Sequence, residues 1–375
     1  MVCRFIHQTY LVMENQQLAN AKRRRQLIFA REYRGLSQTE LAKRVAGLSQ
    51  SNLSRFEQLG GSLSETVLRR VMDVLEFPFE FLGIEIENNP ESKHYRKKSR
   101  IGAKDKAKID KFVAVATYVF DNILDEFDAP PFNFHYLNAE DGISPEEVAR
   151  QTRRTCRIGS GAIRNICNLL ERNGVFVYFW DCEYEDFDGV SLVSDKGNHI
   201  IVVNKNMPND RIRFSLAHEL GHLIMHNSMF VVLEARDKEK EANQFAAEFL
   251  MPEREIGSSL LNVRLSALPL LKQMWLTSMS SLIMRAKTLG KIDSDRYRML
   301  MTEMSRRRWR TNEPIQVELD RPTYLADAEN MLQDDFNLDY TEQAKMLALP
   351  VDILRTIFQE KTTPKILKPV FWATR

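Results

Sequence analysis

The residues best suited to chemistry are the two histidines of the stretch His218-Glu219-Leu220-Gly221-His222. Apolar residues flank this stretch with helical spacing, which predicts a buried helix. Histidines four positions apart on a helix lie on the same face, about one turn apart. Their ring nitrogens can therefore meet on a single tetrahedral Zn²⁺ ion at about 2.0–2.1 Å. We expect His218 and His222 to be zinc ligands.

Glu219 follows the first histidine directly, so its carboxylate is expected beside the metal without binding it. In that position it can take a proton from a water molecule and later pass it to a leaving amine. The predicted reaction is therefore peptide-bond hydrolysis by a zinc-dependent peptidase. The other interpretation is an ordinary helix with two exposed histidines, which the apolar flanking residues disfavour.

A catalytic zinc site also needs a third protein ligand and an open position. In gluzincins a glutamate ligand is followed one turn later by a residue that supports a histidine ligand. The next predicted helix fits this plan with Glu239 as the ligand and Asn243 as the support, and Glu241 is the alternative ligand. His226 is expected to support the site or to end its helix, because three histidines in line on one helix do not easily converge on one ion.

A second pattern, over residues 25–62, is that of two short helices joined by a tight turn. Ser37 with Glu40 forms a capping box for one helix, and Ser49 caps the next. The second helix would present side chains of the types that read base edges and phosphates in a major groove. The predicted DNA contacts are Gln38, Gln50, Ser51, Asn52, Ser54 and Arg55. A small helical protein-interaction domain is the alternative interpretation.

The charge distribution also favours double-stranded DNA as a partner of this region. The net charge of the chain is only +2, but residues 22–70 contain eleven Lys and Arg against four Asp and Glu. A locally basic module is typical of proteins with a polyanionic partner. The basic run between residues 93 and 100 is interpreted as a solvated linker, with single-stranded nucleic acid binding as the weaker alternative.

The predicted fold class is α+β and mostly helical, with strands only at 174–180 and 191–204, just before the helix that carries the two histidines. The predicted order of domains is a helix-turn-helix DNA-binding domain at 20–85, a basic linker at 86–108, a zinc metallopeptidase domain at 109–312 and a helical C-terminal extension at 313–375. Three roles stay open for the extension, namely covering the active site, supporting a homodimer and holding a partner.

Four scattered cysteines without a CxxC pair favour a reducing compartment over a disulfide framework. The sequence has no apolar run of about 18 residues, so no membrane span is expected. Together these features predict a cytoplasmic protein with no membrane partner.

The two patterns resemble known families. Residues 25–83 resemble the xenobiotic-response-element class of Cro-like repressor domains. Residues from about 150 to 310 resemble the ImmA/IrrE family of metallopeptidases, through the segments FDGVSL (187–192), IIVVN (200–204), RIRFSLAHELGHLIMH (211–226) and EKEANQFAAEFLMPE (239–253). The resemblance implies a five-helix-type helix-turn-helix domain and a zincin-like peptidase domain with a small sheet and an HExxH helix.

The resemblance also implies a function. It makes His218, His222 and Glu239 the zinc ligands and Glu219 the general base. It implies a protein substrate of the helix-turn-helix repressor or antitoxin kind, and a role in transcription regulation. The alternative is a DNA-binding transcription regulator whose peptidase fold acts as a sensor without turnover.

Overall fold

The computed structural model describes residues 2–59, 61–86, 93–97, 101–136, 142–226 and 237–358. The chain forms two compact units, one of Met1–Glu85 with Leu332–Arg375 and one of Ile86–Met331. Within the stretches described, every helix is too short or too polar to cross a bilayer.

The amino-terminal part of the first unit is helical throughout. Its elements are α1 (Val2–Tyr33), α2 (Gln38–Arg44), α3 (Gln50–Leu59), α4 (Glu65–Leu75) and a 3-10 helix (Phe79–Gly83). It thus has four α-helices and one 3-10 helix. Helix α1 begins at Val2, well before residue 20, where the helix-turn-helix domain was predicted to start.

Both predicted N-caps start their helices. The Ser37 hydroxyl accepts a hydrogen bond from the Glu40 backbone N–H, and the Glu40 carboxylate accepts one from the Ser37 N–H, which completes the capping box. The Ser49 hydroxyl accepts from the backbone N–H of Asn52. Within α2, Leu41 is completely buried, whereas its neighbour Ala42 is only half-buried.

The second unit contains a four-stranded sheet in the order β1-β3-β4-β2. Its strands are β1 (Lys93–Lys97), β2 (Val175–Trp180), β3 (Phe187–Val193) and β4 (His199–Asn204). Strand β3 runs antiparallel to both β1 and β4, and β2 runs parallel to β4. Strands β2 and β4 lie within the predicted segments 174–180 and 191–204, whereas β3 begins at Phe187, four residues before the predicted segment.

Strand β1 is a correction to the linker predicted at 86–108. Residues 93–97 of that segment pair with β3, and helix α5 (Ala103–Asp125) begins before the segment ends. The physical reason is that β3 would otherwise present a row of unpaired backbone N–H and C=O groups at the sheet edge. Residues 87–92 and 98–100 of the predicted linker lie outside the described residues.

Helices surround this sheet and supply most of the core of the second unit. After α5 they are α6 (Pro145–Thr155), α7 (Ile166–Arg172), α8 (Asn209–Met225), α9 (Lys238–Leu250), α10 (Glu253–Ile256), α11 (Leu268–Trp275), α12 (Met279–Thr288) and α13 (Ser294–Arg306), with 3-10 turns at Gly257–Leu260 and Leu265–Ala267. Helix α8 is central, since it packs on α9 and across β3 and β4. The predicted HExxH stretch therefore lies in the best-packed part of the unit.

The last elements are α14 (Tyr324–Asp334), α15 (Tyr340–Met346) and α16 (Val351–Phe358). The boundary between the two units falls within α14. The start of the predicted extension at 313–375 therefore belongs to the second unit, where the Glu313 carboxylate contacts Lys272 and the Val317 carbonyl accepts from Asn209. Residues 359–375 lie outside the described part of the chain.

Candidate functional site

Helices α8 and α9 bring two histidines and one glutamate together. The Nε2 atoms of His218 and His222 are 3.0 Å apart. Glu239 Oε2 lies 3.5 Å from His218 Nε2, and its Oε1 lies 3.2 Å from His222 Nε2. One ligand atom from each residue lies within 4.8 Å of the others. Both histidines are buried while the Glu239 side chain is 43% exposed, so the cluster opens to solvent on the Glu239 side.

The donor set and its spacing fit a zinc ion. Two imidazole nitrogens and one carboxylate oxygen are a common set for catalytic zinc, and atoms about 2.0–2.1 Å from one tetrahedral centre are roughly 3.3 Å apart. The far side of each imidazole is also supported. His218 Nδ1 lies 3.1 Å from Asn243 Oδ1, and His222 Nδ1 lies 2.9 Å from His226 Nδ1. Such partners orient the rings so that Nε2 faces the centre of the cluster.

The two acids at the start of α9 have different positions. Glu239 faces the two histidines, whereas Glu241 Oε2 lies 2.9 Å from His226 Nε2. Burial acts to raise the pKa of Glu239, but the hydrogen bonds from His218 and His222 outweigh it and hold that pKa well below its usual value. Burial lowers the pKa of His226 to about 4, so this ring is neutral at pH 7. The structure thus places Glu239 at the cluster and Glu241 behind it, against His226 at the end of α8.

Glu219 lies between His218 and His222 in the sequence, and its side chain is completely buried. Its Oε2 accepts a hydrogen bond of 2.7 Å from Ser191 Oγ on β3. Sequence reasoning missed Ser191. The available signal was a hydroxyl residue within the segment FDGVSLV, since a hydroxyl in a buried strand requires a partner.

The position of α9, and so of Glu239, depends on Gly221 within the HExxH stretch. A Cβ added at Gly221 would lie 3.0 Å from the Phe245 ring of α9, closer than nine in ten real Cβ contacts. Phe245 is completely buried, so its ring has little room to move. Gly221 therefore allows the close approach of the two helices that carry the three side chains of the cluster.

An open cleft of about 1100 Å³ runs past the cluster. Glu239 and Asn243 lie on its wall, together with the amino-terminal half of α8, the exposed face of α12 and the segment 310–317. A cavity of this size holds several residues of an extended peptide, more than the 300–1000 Å³ that small-molecule pockets usually offer.

The predicted DNA-contacting residues lie in the first unit, on α2 and α3. A buried ion pair joins α3 to α1. Arg31 of α1 donates two hydrogen bonds to the Glu57 carboxylate at 2.7 and 2.9 Å, and both side chains are more than nine-tenths buried. Gln38 Nε2 donates to the same carboxylate at 2.7 Å, and Gln50 Nε2 donates to Gln38 Oε1 at 3.3 Å. These hydrogen bonds connect the buried Glu57 carboxylate, through Gln38, to Gln50 at the amino end of α3.

Exposure divides the six predicted contact residues. The exposed ones are Gln50, Ser51, Asn52 and Arg55, whereas Gln38 and Ser54 are half-buried. Gln38 therefore acts mainly as a bridge between Glu57 and Gln50. The four exposed side chains share one helix, which is the arrangement that base reading in a major groove requires.

The similarity to known proteins lies in the second unit. No curated protein matches the chain. Residues 170–286 match the family model of the IrrE N-terminal-like domain of the M78 peptidases, and the matched segment contains β2 to β4, α8, α9 and the whole His218–His222–Glu239 cluster. This segment of the chain is therefore similar to metallopeptidases of the ImmA/IrrE type, a family whose chemistry implies a metal cofactor.

Proposed function

We propose that this chain is a zinc-dependent endopeptidase of the gluzincin type, with His218, His222 and Glu239 as zinc ligands and Glu219 as the general base. The observation that carries the proposal is the cluster itself. Three ligand atoms lie within 4.8 Å of one another, beside a buried carboxylate that a serine hydroxyl holds in place. The 43% exposure of Glu239 leaves an approach from the cleft for a substrate carbonyl.

Zinc, when bound, supplies a Lewis acid that polarises the scissile carbonyl and makes a nearby water molecule more acidic. Glu219 takes the proton from that water as it attacks the carbonyl carbon, and then delivers the proton to the nitrogen of the leaving amine. Ser191 keeps the Glu219 carboxylate in one orientation through both transfers. Asn243 and His226 hold the imidazoles of His218 and His222 with Nε2 directed at the cluster.

For the substrate, we propose a helix-turn-helix repressor or antitoxin. The similarity of residues 170–286 to the ImmA/IrrE type supports this choice. We further propose that the amino-terminal unit is a helix-turn-helix domain of the Cro-like repressor class that binds double-stranded DNA. The two capped helices and the exposed polar row on α3 support that part of the proposal. DNA binding would then serve transcription regulation or bring the peptidase to its target.

The test is an incubation of the zinc-loaded full chain with the helix-turn-helix repressor encoded beside it, followed by mass spectrometry of the products. The matched control is zinc-loaded Glu219→Gln, which keeps the shape of the side chain and removes its basicity. We expect one discrete pair of fragments from wild type and none from Glu219→Gln. Equal cleavage by both would overturn the role of Glu219. Zinc without cleavage by either would instead support a sensor that does not turn over.

A further inference from the structure

The amino-terminal half of α8 leads from the zinc cluster along the wall of the cleft. Arg211, Phe214 and His218 are spaced three and four positions apart, so they lie on one face of the helix. Arg211 and Phe214 both line the cleft, and Glu239 lies on its wall opposite His218. A peptide in the cleft with its scissile bond at the cluster would therefore extend past Phe214 to Arg211.

Arg211 is held in place by a buried acid. Its guanidinium Nη2 donates to Asp188 Oδ1, at the start of β3. The Asp188 side chain is 2% exposed, whereas that of Arg211 is 38% exposed. The other guanidinium N–H groups of Arg211 make no hydrogen bond to any residue that the structure describes. A guanidinium has five donors in a fixed plane, so one edge can bind Asp188 while the other faces the cleft.

The acids and cations that line this part of the cleft differ in exposure. Asp210 and Glu313 both contact the buried ammonium of Lys272, and their side chains are only 9% and 11% exposed. The cations that face the solvent are Arg211 and the exposed Arg310. These guanidinium groups offer a substrate carboxylate a binding partner in this part of the cleft.

We propose, on the basis of the peptidase function above, that Arg211 selects substrates with an Asp or Glu about three residues from the scissile bond. Arg211 and His218 are two helical turns apart, which is about 10 Å at 1.5 Å per residue. An extended peptide covers that distance in about three residues at 3.3–3.4 Å each. Phe214 lies between the two and offers an apolar surface to the intervening side chains. Asp188 acts as the positioning residue that keeps the guanidinium directed at the cleft.

Peptide hydroxamates test this proposal without turnover. Two series carry the zinc-binding hydroxamate at either the amino or the carboxyl end, with a single Asp or Asn placed two to five residues away. Affinity is measured by fluorescence anisotropy on the zinc-loaded Glu219→Gln chain. We expect one position, about three residues from the hydroxamate, at which the Asp peptide binds about tenfold more tightly than the Asn peptide.

Variants of Arg211 locate the origin of that preference. In the Glu219→Gln background, Arg211→Gln is expected to bring the Asp-to-Asn affinity ratio to about one, and Arg211→Lys to keep part of it. Arg254→Gln, an exposed arginine on α10 away from the cleft, is the matched control and should leave the ratio unchanged. A ratio near one at every position, or a preference that persists in Arg211→Gln, overturns the proposal alone. Failure of every hydroxamate to bind overturns the zinc centre and this proposal together.

Discussion

Ser191 Oγ on β3 donates a hydrogen bond of 2.7 Å to Glu219 Oε2 on α8, and both side chains are completely buried. A hydrogen bond to a charged group contributes about 1.5–3 kcal/mol. Ser191→Ala is therefore expected to lower kcat by about 10- to 100-fold with little change in KM, because it frees the orientation of the base and touches no substrate. Steady-state kinetics on a fluorogenic peptide measure both constants.

The matched control is Ser194→Ala, which removes another buried hydroxyl that bonds Asp121 and not the cluster. Zinc content should equal that of wild type in both variants. A kcat for Ser191→Ala within twofold of wild type, or an equal loss in Ser194→Ala, would contradict a positioning role for Ser191.

Gly221→Ala is expected to weaken zinc binding although it removes no ligand. The added methyl group would lie 3.0 Å from the buried Phe245 ring, so α9 must shift by a few tenths of an ångström and carry Glu239 with it. We expect a loss of about tenfold in zinc affinity, measured by competition with a fluorescent chelator. The double variant Gly221→Ala/Phe245→Leu makes room for the methyl group and should recover part of the affinity. Unchanged zinc affinity in Gly221→Ala would show that the contact between α8 and α9 at Gly221 does not determine zinc affinity.

The mutual arrangement of His218, Glu219 and His222 was predictable because the three residues lie on one helix, where spacing alone fixes their geometry. The choice between Glu239 and Glu241 was not. Both lie near the start of α9, and which of them faces α8 depends on how the two helices pack, which the spacing of apolar residues does not specify. The same limit applies to Ser191, whose partner Glu219 is 28 positions away in sequence.

Strands β2 and β4 and the N-caps at Ser37 and Ser49 were readable from local patterns, since each depends on neighbours a few positions away. Strand β1 was not, because its segment is polar and basic and its backbone pairs with β3, which is distant in sequence. The long extension of α1 toward the amino terminus was also missed, since residues 1–20 lack a clear apolar stripe. Whether these two segments form regular structure depends on contacts with distant residues, which local sequence patterns do not reveal.

Acid is expected to destabilise the fold partly through His199. Its ring stacks on Phe132 with centroids 3.7 Å apart, and burial lowers the pKa of His199 to about 4, from an ordinary value of about 6.5. Between those values the unfolded chain binds more protons than the folded one, so stability from this residue is lost as pH falls from 6.5 to 4. When the pH falls from 7.5 to 4.5, the free energy of unfolding of His199→Phe should decrease by about 1–3 kcal/mol less than that of wild type.

Urea unfolding in the presence of EDTA measures this difference, because metal loss then makes no contribution. His135→Phe, at an exposed histidine, is the control and should show the pH dependence of wild type. A His199→Phe chain with the same pH dependence as wild type would show that His199 does not carry the effect.

Substitutions on α3 test the proposed DNA-binding unit. Gln50 is exposed at the amino end of α3, where a recognition helix contacts base edges, and Gln58 is exposed at the other end of the same helix. Gln50→Ala is expected to reduce affinity for the chain's own operator by about 1–3 kcal/mol, and Gln58→Ala to leave it nearly unchanged. Fluorescence anisotropy at fixed salt measures both, with a scrambled duplex as reference. Equal effects of the two substitutions would argue against base reading by α3.

Elemental analysis of zinc in the purified full chain tests the central claim most directly. Wild type and Glu219→Gln are each expected to hold one zinc per chain, because Glu219 is not a ligand. Glu239→Ala should lose most of its zinc, whereas Glu241→Ala should keep it, since Glu241 contacts His226 and not the cluster. Absence of zinc from wild type after loading, or its retention in Glu239→Ala and loss in Glu241→Ala, would contradict the metal centre described above.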